Sequence, residues 1–211
     1  RWTVTAQQAG SAEPVHFTAR FLFLGTGYYD YEEGFTPRIE GAEEFAGRLI
    51  HPQHWPEDLD YAGKRVVVVG SGATAVTLIP SMAGKAGHVT MLQRSPSYVF
   101  SIPAEDAIAN TLNKVVGPAR AHRIIRRKNI MLNRGIYKAC RLAPKLMRTL
   151  LIANVRRQLP ASFDVDTHFT PRYNPWDQRL CMVPDGDLFK AISAGQASVV
   201  TDRIERFTKE G

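Results

Sequence analysis

Residues 64–95 are KRVVVVGSGATAVTLIPSMAGKAGHVTMLQRS, and this stretch decides the fold. It opens with four consecutive valines, residues 66–69, and so short a β-branched run is typical of a strand buried on both faces of a parallel sheet. A glycine-rich turn follows at residues 70–75, and residues 73–82 predict a helix that ends near Gly84 and Gly87. Residues 88–93 predict a second strand, so the stretch is predicted to form a β-α-β unit.

The turn between the first strand and the helix matches the GxGxxA form of the dinucleotide-binding fingerprint. Gly70 permits the tight turn out of the strand, and Gly72 lacks a Cβ atom, so that a pyrophosphate can approach the backbone. Ala75 is small enough for the helix to pack on the strand, and the free N–H groups at the helix start face the phosphates. An ordinary glycine turn is the alternative, but the strand before it and the helix after it favour a nucleotide site. The cofactor-binding residues predicted in this turn are Gly70, Ser71, Gly72, Ala73, Thr74, Ala75 and Val76.

The end of the second predicted strand indicates which nucleotide is bound. An NAD site usually has an Asp or Glu there, which accepts hydrogen bonds from the ribose hydroxyls. This chain has Gln93, Arg94 and Ser95 instead. Because a guanidinium pairs well with a 2′-phosphate and a serine hydroxyl adds a donor, Arg94 and Ser95 are predicted to select NADPH over NADH. The alternative for Arg94 is an exposed surface arginine without a ligand.

The composition is that of an ordinary globular protein, with 211 residues, 44% of them hydrophobic and 22% charged. No window of 18 uninterrupted apolar residues predicts a transmembrane helix, and no signal peptide is recognised. The chain begins without Met inside a strand-like run, so we expect a piece of a longer protein. Cys140 and Cys181 fit no metal or redox spacing, and reduced thiols in a cytoplasmic protein are the expectation.

The net charge of +7 is concentrated in one segment, because residues 107–163 hold thirteen Lys and Arg and no Asp or Glu. Residues 104–159 predict helices, with apolar residues stepping by four before and after a break at Pro144. A solvated helical insert is the favoured interpretation, and weak peripheral contact with an anionic membrane is the second. No nucleic-acid motif is present, so we expect no nucleic-acid partner.

The remaining segments predict short strands and loops. Residues 2–6 and 15–24 predict a hairpin whose second strand becomes wholly apolar and enters a core. The glycine-flanked turn at residues 25–29 fits either close backbone approach to a ligand or a plain strand exit. Residues 30–63 and 160–186 are predicted to be irregular, Asp187 to cap a short helix, and residues 198–201 and 204–208 to form strands.

Two histidines and one arginine are weighed as site residues from their surroundings alone. His51 and His54 lack a third ligand at suitable spacing, so no metal site is predicted. His168 is predicted to be a surface or hydrogen-bonded loop residue. From the residues alone, Arg179 in the run YNPWDQRLC is either an ion-pair partner of Asp177 or of another acid, or a site residue, and both alternatives stay open.

The pattern of Phe45, Gly47, His51, Trp55 and Pro56 resembles the fingerprint of Baeyer–Villiger monooxygenases, which are class B flavoprotein monooxygenases. In that family the fingerprint precedes a Rossmann domain that binds NADPH. Here Gly70 follows Pro56 by 14 positions, which is the same order. The likeness extends over nearly the whole chain, including HPQHWPEDLDY, VVGSGATAVTL and HVTMLQRSP.

The resemblance implies an α/β fold with a Rossmann-like NADPH-binding domain that carries a helical insert and is preceded by the C-terminal strands of an FAD-binding domain. Residues 1–60 then hold the end of the FAD domain and the link, and residues 61–211 the NADPH domain, with the insert at about 104–159. The turn at residues 25–27 becomes a wall of the flavin site, and His51 and Trp55 couple domain movement to catalysis. Arg179 matches the active-site arginine, although its neighbour Gln178 replaces a lysine common in the family.

The chemistry that the resemblance implies uses NADPH, FAD and O2 to insert one oxygen atom into a ketone or to oxidise the sulfur of a thioamide. Since the chain holds one glycine fingerprint, at Gly70, we do not expect these residues alone to bind FAD tightly or to turn over. A non-catalytic NADP-binding fragment and an amine- or sulfur-oxygenating flavin monooxygenase stay open as alternatives. A disulfide reductase is disfavoured because the cysteines do not form a CxxxxC pair.

Overall fold

The computed structural model describes residues 1–27 and 29–211, which divide into two units, Arg1–Pro37 and Arg38–Gly211. The linking segment at residues 38–60, which the sequence groups with the first domain, lies in the second unit. The strands of the described residues are β1 (Trp2–Ala6), β2 (Val15–Ala19), β3 (Arg65–Val69), β4 (His88–Gln93), β5 (Tyr98–Ile102), β6 (Leu180–Pro184) and β7 (Ala197–Thr201). The α-helices are α1 (Ala73–Ala83), α2 (Ala107–Val116), α3 (Pro118–Leu142), α4 (Pro144–Arg156), α5 (Val165–Phe169) and α6 (Asp187–Ser193).

The first unit contains the predicted hairpin, in which β1 and β2 pair antiparallel with Trp2 opposite Ala19. The prediction that the second strand continues to residue 24 and enters a core is wrong. The strand ends at Ala19, and the side chains of Phe21, Phe23 and Leu24 are exposed. An apolar run is buried only where both of its faces meet a partner, and a two-stranded ribbon supplies too little surface for that. In the turn that follows, Tyr28 lies outside the described residues.

The second unit is built on the predicted β-α-β unit. Strands β3, β4 and β7 form a parallel sheet in that order, and α1 connects β3 to β4. Helices α1 and α6 contact the sheet, and its core includes Ile79, Val89, Met91 and Leu188. The predicted strand at 88–93 and the helix from Ala73 are confirmed, and so is the α/β class with parallel strands.

The prediction that the valine run is buried on both faces is wrong. Val66 and Val68 pack against the core, whereas Val67 and Val69 are 58% and 61% exposed. The side chains of a strand alternate between the two faces of its sheet, and α1, the helix that contacts β3, leaves its second face open.

A second parallel pair, β5 with β6, was not predicted, and residues 160–186 are less irregular than expected. Tyr98 pairs with Leu180 across 82 positions of sequence, and α5 lies within the same supposedly irregular stretch. Each element has only five residues, which is too short for periodicity to separate a strand from a loop.

The basic segment is helical as predicted. Helix α2 packs against α3, and prolines at the first positions of α3 and α4 separate the helices. Asp106 caps α2 by accepting hydrogen bonds from the N–H groups of Ile108 and Ala109. Over the described residues, no helix combines the length and the apolar character that crossing a bilayer requires.

Near the C-terminus, β7 confirms the strand expected at residues 198–201, but residues 204–208 do not form a strand. Those residues instead contact the linking segment, where the N–H of Phe207 donates to the Glu40 carbonyl at 2.7 Å. Helix α6 begins at Asp187, and its cap is Gly186 at φ 65° rather than Asp187. A left-handed residue is required at that position, and glycine adopts this conformation most easily.

Candidate functional site

The glycine fingerprint lies at the carboxyl end of β3. Gly70 has φ 134°, a conformation that other residues adopt rarely, and its N–H donates to the Leu92 carbonyl at 2.8 Å. Gly72 caps α1 without a side-chain hydrogen bond. The N–H groups of Ala73 and Thr74 therefore begin the helix without intrahelical partners, and both residues are exposed. Such a helix start binds anions.

Ala75, the last residue of the fingerprint, and Val76, which follows it, pack against the core. The side chains of Ala75 and Val76 are buried in the core beneath α1. A Cβ atom at Gly70 would lie 4.0 Å from that of Ala75, which is close helix–strand contact. The N–H of Val76 already donates to the Gly72 carbonyl at 3.1 Å, so Val76 faces the core rather than the edge where a ligand would lie.

Ser71 ties the fingerprint to the loop after β4. Its buried side chain lies 2.9 Å from the hydroxyl of Ser97, oxygen to oxygen, and 3.5 Å from the Ser95 carbonyl. The hydroxyl is thus directed at protein atoms, and what remains available to a phosphate at Ser71 is its backbone. This bond fixes the distance between the fingerprint and the loop that carries Arg94 and Ser95.

Arg94 and Ser95 follow β4 directly and are exposed. Since β3 and β4 are parallel neighbours, their carboxyl ends meet at one edge, and Leu92, which receives the Gly70 N–H, lies two positions before Arg94. In residues 1–27 and 29–211, no Asp or Glu lies within ion-pair distance of the Arg94 guanidinium. The structure therefore brings an uncompensated cation to the edge that carries the fingerprint.

Arg179 comes to the same edge from 107 residues beyond Gly72. It precedes β6, and the Tyr173 hydroxyl donates to its carbonyl at 2.8 Å. Tyr98, buried on β5, in turn donates its hydroxyl to the Tyr173 carbonyl at 2.7 Å, and the two rings are in edge contact. These contacts hold the backbone of Arg179 in a defined position.

The guanidinium of Arg179 lies against the fingerprint, because a Cβ atom at Gly72 would be 3.3 Å from its Nη1 atom. The interpretation that Arg179 pairs with Asp177 is wrong, since Asp177 pairs with Arg141 at 2.5 Å. Arg179 lies two positions before Cys181, whose thiol donates to the Ser71 carbonyl. Burial raises the pKa of the Cys181 thiol, and the charge of Arg179 offsets part of that rise.

Sequence patterns did not reveal the residues that support this edge. Gln93, which is buried, donates to the His168 carbonyl at 2.7 Å and to the Thr201 hydroxyl at 2.9 Å. His168 Nδ1 lies 2.8 Å from the same hydroxyl, so the expected hydrogen bond is confirmed, but the expected loop is wrong because His168 lies in α5. No local signal identifies such partners, because the side chains are 33 to 108 positions apart.

The histidine and tryptophan of the segment before β3 make local contacts. His51 Nδ1 accepts from the N–H of Gln53 at 3.2 Å and so caps a 3₁₀ turn, Pro52–His54. Trp55 contacts the ring of Tyr61 edge-on, with centroids 6.5 Å apart. Both residues are held within the second unit, ahead of the strand that leads into the fingerprint.

Comparison with known proteins settles the family. Residues 1–133 match the family described as flavin-binding monooxygenase-like. The chain belongs to the flavin-binding monooxygenase-like family. The resemblance to flavoprotein monooxygenases carried by the sequence motifs is thereby confirmed.

Relatives of this flavin-binding monooxygenase-like chain are longer than it is. EthA of Mycobacterium tuberculosis, an FAD-containing monooxygenase, is 54% identical over 212 residues, which cover all of this chain and 43% of EthA. AlmA of Acinetobacter baylyi, a probable FAD-binding monooxygenase, is 50% identical and is covered over 42% of its length. The chain thus spans less than half of the curated relatives that it matches.

Solved structures share the fold of this family member. A complex of OTEMO with FAD and NADP superposes with a TM-score of 0.68 at 19% identity, over all of this chain and 49% of that one. An oxidised steroid monooxygenase bound to NADP gives 0.60 at 19% identity, over 80% of this chain and 39% of that one. This likeness confirms the Rossmann-like α/β architecture.

Proposed function

We propose that this chain is the NADPH-binding portion of an FAD-dependent monooxygenase that transfers one oxygen atom of O2 to a ketone or to the sulfur of a thioamide. The observation that carries the proposal is the meeting of three features at one edge of the β3-β4-β7 sheet. These are the open start of α1, the uncompensated charge of Arg94 and the Arg179 guanidinium beside Gly72. The names of the relatives support the flavin chemistry, and the pattern from Phe45 to Pro56 supports the Baeyer–Villiger class.

The residues present fit a dinucleotide. Gly72 leaves the space that a Cβ atom would fill, and the N–H groups of Ala73 and Thr74 offer donors to a pyrophosphate. Arg94 and Ser95 offer a cation and a hydroxyl to a 2′-phosphate, and no carboxylate directly follows β4 to repel it. Ser71, Ala75 and Val76 would support the site without contacting the ligand through their side chains. Ser71 fixes the turn, and Ala75 and Val76 pack α1 against the core.

When bound, NADPH supplies the hydride that reduces the flavin, and the reduced flavin activates O2. The chain's own contribution to oxygen transfer is the permanent charge of Arg179. A guanidinium does not titrate, so beside Gly72 it would stabilise negative charge at any working pH. Tyr173 donates to the Arg179 carbonyl and so fixes the backbone from which this side chain extends.

Comparison of NADPH with NADH tests the nucleotide assignment. In the full-length protein, Arg94→Ala should weaken NADPH by roughly tenfold to a hundredfold, since a charge-assisted hydrogen bond contributes about 1.5–3 kcal/mol. NADH lacks the 2′-phosphate, so its affinity should be nearly unchanged. Arg123→Ala on α3 removes one guanidinium elsewhere and should alter neither affinity. Equal losses for the two nucleotides would remove Arg94 from the phosphate site.

A second experiment tests Arg179 through product formation. Arg179→Ala should retain flavin reduction by NADPH, measured by anaerobic absorbance, and should lose oxygen transfer to ketone and thioamide panels. Arg179→Lys keeps one charge but not the fork of donors, and should fall between the two. Unchanged product yields in Arg179→Ala would exclude the arginine from oxygen transfer. Absence of any oxygenated product in the unaltered protein would favour a non-catalytic NADP-binding role.

A further inference from the structure

The outer face of α3 carries a row of positive charge along almost the full length of the helix. Six exposed residues follow one another at intervals of 3, 4, 7, 4 and 3, which places them on one side of the helix. This α3 basic stripe consists of Arg120, Arg123, Arg127, Arg134, Lys138 and Arg141. Arg141 pairs with Asp177, and across the part of the chain that the structure describes the other five have no acid within ion-pair distance.

An apolar edge runs beside the stripe. Ile124, Met131 and Leu142 are 47%, 74% and 84% exposed. They are 7 and 11 residues apart, close to two and three turns of helix, so they are aligned along the axis about a sixth of a turn from the basic stripe. Near the helix start, Ile124 lines one groove together with Arg120, Arg123 and Arg127. Apolar and cationic side chains are thus interleaved on one exposed surface.

The inner side of α3 is already satisfied without this surface. Ala121 is fully buried, and α3 packs against α2. Lys128 on the inner side pairs with Asp106, the cap of α2, at 2.5 Å. The outer face therefore contributes little to the packing of α3 against its neighbours. Helix packing does not explain why this face combines cationic and apolar side chains.

We propose that the outer face of α3 docks on an anionic lipid bilayer and lies in the plane of the interface. Charge complementarity identifies the occupant, because residues 107–163 contain no acid and the stripe faces outward. A helix with a cationic row beside an apolar row binds such an interface by burying the apolar side chains while the arginines reach phosphate headgroups. Nucleic acid fits less well, since exposed Met131 and Leu142 would gain nothing on a phosphate backbone.

Vesicle co-sedimentation of the full-length protein tests this surface independently of the oxygenase assignment. We expect binding to phosphatidylcholine vesicles that contain about 30% phosphatidylglycerol and no binding to phosphatidylcholine alone. The triple variant Arg120→Glu, Arg123→Glu, Arg127→Glu should weaken partitioning at least about tenfold, since each basic residue near the surface contributes measurably. Met131→Asp should weaken it as well, because it removes apolar insertion without touching an arginine.

The matched control reverses three exposed basic residues elsewhere in the second unit, Arg38→Glu, Arg48→Glu and Lys209→Glu. It changes the net charge equally and should retain vesicle binding. NADPH affinity should be unchanged in the α3 triple variant, which shows that the protein is folded. The proposal would be overturned if the control lost as much vesicle binding as the α3 triple variant, or if the protein bound neutral and anionic vesicles equally. Binding to duplex DNA without binding to vesicles would also overturn it.

Discussion

At the scale of single residues, Gly70 and Gly72 are glycine for different physical reasons. Gly70 has a φ of 134°, which only glycine adopts without strain, so its role is to let the chain turn out of β3. Gly72 has φ −84°, which any residue tolerates, so its role is to leave space beside the Arg179 guanidinium. Gly70 is required by the backbone turn, whereas Gly72 is required only if a ligand approaches there, as the proposed function needs.

Replacing each glycine by alanine should distinguish a requirement for stability from a requirement for NADPH binding. Gly70→Ala should destabilise the protein by about 1–3 kcal/mol through backbone strain, measured as a lower thermal midpoint. Gly72→Ala should leave the thermal midpoint nearly unchanged, because the new methyl group meets only the mobile end of Arg179 at 3.3 Å. It should nevertheless abolish measurable NADPH binding in a fluorescence titration. A Gly72→Ala protein that bound NADPH normally would show that the phosphates do not approach this backbone.

At the scale of elements, the site depends on the junction between the fingerprint turn and the loop after β4. The Ser71–Ser97 bond is buried and joins residues 26 positions apart. It ties the fingerprint turn to the loop that carries Arg94. In the proposed site, this pair of hydroxyls would therefore set the separation of the two phosphate-binding groups without contacting either phosphate.

Ser97→Ala should loosen that junction. The Ser71 hydroxyl would retain only its 3.5 Å contact with the Ser95 carbonyl, so we expect a loss of about 0.5–1.5 kcal/mol in the free energy of unfolding. NADPH affinity should fall more than NADH affinity, because only NADPH uses Arg94. The double variant Ser71→Ala, Ser97→Ala leaves no hydroxyl unpaired and should cost less than the sum of the single changes. Strict additivity in denaturant titrations would show that the two hydroxyls do not interact.

The same junction shows why part of the site could be predicted from sequence and part could not. The valine run, the glycines and Arg94 lie within 29 consecutive residues, and their order alone predicts a strand, a turn, a helix and a charge. Ser97 lies in the loop after β4, but its bond to Ser71 spans 26 positions and leaves no local signal. Tyr173 and Arg179 come to the same edge through the pairing of β5 with β6, which no periodic pattern predicts. The family resemblance indicated Arg179, but its position beside Gly72 required the fold.

At the scale of the molecule, helices cover one face of the β3-β4-β7 sheet of the second unit. Helices α1 and α6 contact one face, on which Val66 and Val68 meet the core. The opposite face presents Val67, Val69 and Val200, all exposed. A local rule had predicted burial of the whole run, because a wholly apolar strand implies two covered faces. Whether a face of the sheet is covered depends on where the helices pack, and the sequence of one strand does not determine that.

Alternate valines of β3 should therefore respond in opposite ways to the same substitution. Threonine keeps the β-branched shape and adds a hydroxyl. Val67→Thr with Val69→Thr should change the free energy of unfolding by no more than about 0.5 kcal/mol per site and should reduce binding of a hydrophobic dye. Val66→Thr with Val68→Thr places hydroxyls against the core and should destabilise by about 1–3 kcal/mol per unsatisfied group. Equal effects of the two pairs in thermal denaturation would mean that the two faces of the sheet are equally covered in solution.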